Sequence, residues 1–223
     1  MIKQRLSWLL AIVVVSAVAV AALLVWLSQT SGGGGEEVRE LLGNVPQSGT
    51  MLGSEDAPVT IYLYEDLQCP SCARFARDTF PELVRRYVES GEVKVISQTL
   101  AILGRDSVPA ARAALSAGEQ DRYWEYSSLF FLNQGRENSG YVTDEFLTNI
   151  AQKTQALDVD QWNEARDSDA VQSELDSAQA SARDEGIEGT PTLVVSGPGG
   201  TSKLVGAVPI DHVSAEIDKV RSS

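Results

Sequence analysis

Cys69 and Cys72 are the only cysteines in the chain. Separated by Pro70 and Ser71, they stand where an apolar run (Val59 to Tyr64) meets an amphipathic helical run (Ala73 to Val88). This arrangement ties a buried strand to a helix start and leaves sulfur at the seam. Free N–H groups and the positive dipole end of a helix N-terminus stabilise a thiolate. Pro70 suits the first turn, where its missing N–H has no partner in any case. Cys69 falls at the N-cap, the exposed end, as the attacking thiol. Cys72, three residues on along the same face, can close a disulfide back onto it. A bridge over so short a loop restricts the unfolded chain very little, so the pair reads as reactive rather than as a staple.

The N-terminus gives the address. Lys3 and Arg5 precede Leu6 to Leu27, a run without charge. At about 1.5 Å per residue it covers the roughly 30 Å hydrocarbon core of a bilayer. Trp8 and Trp26 flank it, and the basic residues lie before it, which keeps residues 1–27 as a cytoplasmic N-terminus plus a single transmembrane helix and exports the rest. The alternative is a cleavable signal peptide, with small-residue sites at Ala17-Val18-Ala19 and Ala19-Val20-Ala21; the remainder is extracytoplasmic either way. Four glycines within Ser28 to Glu36 mark a flexible tether, and residues 28–51 form the tether and approach segment. Every acidic residue lies beyond residue 27, and the chain's net charge is −13. This is a solvated acidic surface that excludes nucleic acid as a partner, because nothing neutralises phosphates.

The remaining residues suffice for one domain with a sizeable core. Glu37 to Leu42 reads as a short helix, with Thr50 to Leu52 pairing at a sheet edge. Val59 to Glu65 is a strand buried on both faces. A helix from Pro70 to about Ser90 follows, kinked at Pro81. Glu92 to Leu100 is the second strand, with Val93, Val95 and Ser97 on one face. Strand, helix, strand makes a right-handed parallel βαβ unit and hence an α/β sheet. Ser107 to Glu185 carries helix signals without a strand, including a cap at Thr143, and marks a helical insertion over about 104–185. Its aromatic run, Tyr123 to Leu132, is read as core rather than as a binding platform. Strand signals resume within Ile187 to Ser196, where Gly189-Thr190-Pro191-Thr192 leads into an apolar run, turn at Gly197 to Gly200, and return through Lys203 to Val205. Pro191 belongs at a sheet edge or a cis bend. A last helix, Pro209 to Val220, presents Val213, Ile217 and Val220 on one face.

Taken together, Asp66 to Cys72 at a strand end, a long helical interruption, and Gly189-Thr190-Pro191-Thr192 before a hairpin and a final helix resemble the DsbA-like branch of the thioredoxin superfamily. The lead-in from Gly53 to Ile61 resembles its membrane-anchored bacterial members. The resemblance covers residues 52–223 and implies a thioredoxin fold with an inserted helical subdomain. It implies Cys69 as nucleophile, Cys72 as resolving thiol, and Pro191 as a cis-proline that, with Thr190, receives an extended substrate peptide. Pro70 and Ser71 would tune the potential. Many relatives carry a buried acid six residues before the first cysteine, where this chain has Leu63. Glu65 or Asp66 takes that role, or both are a solvated polar strand end.

The activity expected is an extracytoplasmic thiol-disulfide oxidoreductase at the cell membrane that donates its disulfide to reduced exported proteins and needs no cofactor. The resemblance implies a quinone-linked membrane partner (DsbB- or VKOR-like) that reoxidises the pair. Reductase or isomerase action on the same fold is the alternative, because Thr190 before the proline also occurs in such relatives. A chaperone-like module without redox turnover is a further one. Metal is disfavoured: His212 is the only histidine and lies far from the cysteines in sequence.

Overall fold

A computed structural model of the chain describes residues 34–222; the anchor expected over 1–27 and the first part of the tether lie outside the described residues. Among the described residues no helix is long and apolar enough to cross a membrane. Residues 34–42 are helical, which carries the helix expected from residue 37 back into the glycine run. The main compact unit begins at Val38. Val38, Leu41 and Leu42 fall on one helical face, and all three are buried in its core, as is Val45. The approach segment is therefore part of the packed unit from residue 38 onward.

The unit is built on six strands: β1 (Gln47–Ser48), β2 (Met51–Leu52), β3 (Val59–Asp66), β4 (Val93–Leu100), β5 (Thr192–Gly197) and β6 (Gly200–Val205), in the order β1-β2-β4-β3-β5-β6. β3 and β4 are parallel, with Leu63 opposite Ser97 and Glu65 opposite Thr99. β5 runs antiparallel to β3, and β2 antiparallel to β4. Alternation sorts β3 into two faces. Val59, Ile61, Leu63 and Glu65 point into the main core, beside Val93, Val95, Ser97 and Thr99 of β4. The opposite face is covered only in its C-terminal half, where Tyr64 joins Leu100, Val194, Ala178 and Ala182; Tyr62 is exposed. The reading of this strand as buried on both faces is corrected to that extent.

The helix after the cysteines is not a single kinked rod. α1 (Pro70–Asp78) ends at Thr79, α2 (Phe80–Leu83) follows, and a π-helical turn (Val84–Val88) completes the segment. Pro81 offers no N–H to the carbonyl four residues back and its ring crowds that carbonyl, so the break falls just before it. Thr79 adopts φ −107° there, and its hydroxyl donates to Val208 O at 2.8 Å.

The insertion comprises α3 (Ser107–Gly118), α4 (Tyr123–Leu132), α5 (Asp144–Lys153), α6 (Val159–Ala165) and α7 (Asp169–Asp184). Thr143, Asp158 and Ser168 cap three of these by accepting backbone N–H bonds, which is why α5, α6 and α7 start where they do. The aromatic run is core: Tyr123, Trp124, Tyr126, Phe130 and Phe131 are buried, and Trp124 stacks on Phe80 of α2 with centroids 5.0 Å apart. This contact and its neighbours fasten the insertion over α1. The last helix, α8 (Ile210–Arg221), buries Val213, Ile217 and Val220 on the sheet side.

Candidate active site

Four parts of the chain converge on the cysteines: the end of β3, the start of α1, the bend before β5, and α4 of the insertion. Cys69 is the N-cap of α1 with extended backbone (φ −73°, ψ 119°), and Pro70 opens the helix. Both cysteines are free thiols, Cys69 at 7% exposure and Cys72 at 0%. Cys69 is thus more covered than an exposed helix end would leave it, because the Thr190-Pro191 bend lies against it. That peptide bond is cis, and Cys69 Sγ donates to Thr190 O at 3.3 Å. Pro191 is not at a sheet edge; it precedes β5, an inner strand whose outer neighbour is β6. Pro70 is exposed and Ser71 half-buried, its hydroxyl accepting from Arg74 at 3.0 Å.

The two thiols are electrostatically unlike. Cys69 is lowered from an ordinary value near 9 to about 6, chiefly by a hydrogen bond from the Cys72 thiol. Burial opposes that shift, while the Thr190 side chain and the backbone N–H groups of Cys72 and Ser71 add to it. Cys72 is pushed well above 9 by burial, by its bond to Cys69 and by the nearby charge of Glu65. One sulfur is a ready nucleophile near neutrality; the other holds its proton.

Glu65 and Asp66 are both buried, which overturns the reading of a solvated strand end. Alternation then separates their roles. Asp66 points away from the main core and accepts three backbone N–H bonds, from Gln68 at 2.8 Å, Ile102 at 2.8 Å and Leu103 at 3.0 Å. It knits the end of β3 to the end of β4. Glu65 points the other way, into a small cavity walled by Leu63, Phe75, Phe80, Trp124 and Phe131. Burial there raises it to about 8, against the opposing bonds from Tyr123 and Ser97. Tyr123 donates to Glu65 Oε1 at 3.2 Å and lies 2.6 Å from the Ser97 hydroxyl and 2.8 Å from that of Thr99. Leu63 and Glu65 share a strand face, so this chain places its buried acid one pleat nearer the cysteines than the Leu63 position.

Tyr123, Ser97 and Thr99 carry no motif. Their signal in the sequence is indirect: Ser97 and Thr99 follow the inward parity of Val93 and Val95, and a polar pair on an inward face needs a partner. The partner is one β-strand register away, at Glu65. Among the described residues no cluster of three or more His, Cys, Asp or Glu side chains is placed to hold a metal ion. The arrangement can exchange disulfides: an activated thiol, a resolving thiol that needs a proton carrier, and a buried acid whose charge both thiols feel.

A family model described as Thioredoxin matches residues 46–218. The chain is 28% identical over 148 residues to "Disulfide bond formation protein D" of Bacillus subtilis, a match covering 66% of this chain and 67% of that protein. The crystal structure of oxidised BdbD from Bacillus subtilis superposes with a TM-score of 0.69 at 25% identity, covering 78% of this chain and 96% of that one. A thioredoxin-like oxidoreductase from Silicibacter pomeroyi gives a TM-score of 0.65 at 26% identity, covering 83% and 98%.

Proposed function

Because this chain belongs to the thioredoxin family and is a protein thiol-disulfide oxidoreductase of DsbA-like type, we propose that it donates a disulfide, through Cys69 and Cys72, to reduced exported proteins. The observation that carries the direction of transfer is the inequality of the two thiols. Ionised Cys69 exists only in the reduced protein, so whatever favours that anion favours reduction of the pair. At pH 7, a thiol at about 6 in place of one near 9 favours the reduced form by about 1.4 kcal/mol, equivalent to about 30 mV for a two-electron couple.

In the forward step a substrate thiolate attacks Cys69 Sγ of the oxidised pair. The Cys69–Cys72 bond breaks and Cys72 leaves with the electron pair. Cys72 is too basic to leave as a free anion near neutrality, and Glu65, protonated below about 8, supplies the proton. A second substrate thiolate then attacks the substrate sulfur of the mixed disulfide and releases Cys69 as thiolate. The substrate has lost two electrons and the pair has gained them. Thr190 and Pro191, against Cys69, receive the extended substrate segment by backbone pairing.

The same proposal includes the address. Residues 1–27 would anchor the chain in the cell membrane with the N-terminus cytoplasmic and the catalytic domain outside, near a quinone-linked partner that reoxidises the pair. The test is stoichiometric transfer. The oxidised chain, mixed with a reduced unfolded protein, should form one substrate disulfide per chain, and Cys69→Ser should form none. Reduction of a disulfide substrate without oxidation of a dithiol one would reverse the assignment.

A further inference from the structure

Gln68, which precedes the nucleophile, is fully buried, yet the exchange reaction makes no use of it. A buried glutamine amide must find partners for its oxygen and its NH2 group. Gln68 finds both in one place, the loop 133–142 that joins α4 to α5 in the insertion. Its Nε2 donates to Tyr141 Oη at 2.9 Å, and Asn138 N–H donates to its Oε1 at 3.1 Å. The same loop holds the carbonyls on either side, because Gln134 Nε2 donates to Leu67 O at 2.7 Å and to Cys69 O at 3.2 Å. The network closes on itself: Asn138 Nδ2 donates to Leu103 O, and Leu103 N–H donates to Asp66, which also accepts from Gln68 N–H.

Two glycines make this approach possible. A Cβ at Gly135 would lie 2.7 Å from the Tyr141 ring, and one at Gly104, where φ is +122°, would lie 2.6 Å from the Asn138 amide. The Cys69 side chain makes no capping bond to α1. Its place at the helix start therefore depends on how firmly its backbone is held.

We propose that Gln68 is a positioning residue: clasped by loop 133–142, it fixes the Leu67–Cys69 backbone and so holds the Cys69 sulfur in place against Cys72 and the Thr190-Pro191 bend. The helical insertion thereby sets the reactivity of the dithiol. This rests on the redox reading above.

The experiment compares the full chain with Gln68→Ala, Tyr141→Phe and the double variant. The readouts are the pH dependence of Cys69 alkylation and the equilibrium with glutathione. Both single variants should raise the alkylation midpoint and slow alkylation at pH 6 at least threefold. In Gln68→Ala the glutathione equilibrium should move about tenfold toward the disulfide form, about 30 mV more reducing. The double variant should be no worse than Gln68→Ala, since both changes open the same clasp. Tyr141→Phe keeps its ring contacts with Phe130 and Phe146, so it carries the test if Gln68→Ala does not fold. A lower melting temperature with an unchanged midpoint and an unchanged glutathione equilibrium would overturn the proposal and leave the loop a purely structural strap. If the wild-type chain transfers no disulfide, the redox reading fails, while the alkylation midpoints, which need no turnover, still decide the clasp.

Discussion

Replacing Glu65 by glutamine isolates the proton that the proposed mechanism depends on. Glutamine keeps the oxygen that accepts from Tyr123 and Ser97 and fills the same space, so the substitution removes the charge and little else. In the folded chain the carboxyl sits at about 8, against an ordinary value of 4.5. Between those two values the folded protein holds a proton that the unfolded chain releases, so stability is lost as pH rises through that window and stays lost above it. At about 1.4 kcal/mol per tenfold, the loss from pH 5 to pH 9 is on the order of 4 kcal/mol, and the Glu65→Gln variant escapes it. The assay is urea unfolding of the reduced chain at pH 5, 7 and 9, followed by the fluorescence of buried Trp124 and Trp162. The stability difference between variant and wild type should grow by roughly 4 kcal/mol in favour of the variant across that range. A difference that stays flat would mean that Glu65 ionises as an ordinary surface acid. The account of how Cys72 gets its proton would then be refuted.

Alkylation of the reduced wild-type chain should titrate with a midpoint near 6 at Cys69, while Cys72 stays unmodified below pH 9; mass spectrometry of quenched samples reads both. Cys72→Ser, offered a disulfide-bonded substrate, should hold it on Cys69 as a mixed disulfide visible on non-reducing gels: the Cys69 thiolate attacks the substrate disulfide, one substrate sulfur leaves as thiolate, and no Cys72 thiol is present to break the new bond. Asp66→Ala should destabilise the fold by about 3 kcal/mol or more in the same urea assay, because three backbone N–H groups lose their acceptor at a site with no exposure.

Much of this architecture is legible in the sequence because periodicity is local. The alternation of Val93, Val95 and Ser97, the 3.6-residue spacing of Val213, Ile217 and Val220, and the cap at Thr143 all read directly as elements that the structure contains. The break at Thr79 was less legible: Pro81 announces a disturbance, but whether a helix bends or splits depends on what it packs against. The choice between Glu65 and Asp66 could not be made from spacing. Adjacent strand residues point to opposite faces, and which face holds the apolar cavity is decided by Trp124 and Phe131, brought in from the insertion. The clasp on Gln68 was invisible for the same reason. Residues 133–142 carry no motif, and their partners at Leu67 to Cys69 are distant in sequence.

The central claim is that the reduced pair is the favoured state, and the equilibrium redox potential of the chain, titrated against glutathione with thiol alkylation as readout, tests it most directly. The account predicts a value displaced from about −270 mV toward the oxidising end of the known range at about −120 mV, whereas a value at or below about −270 mV would describe a reductase and contradict it.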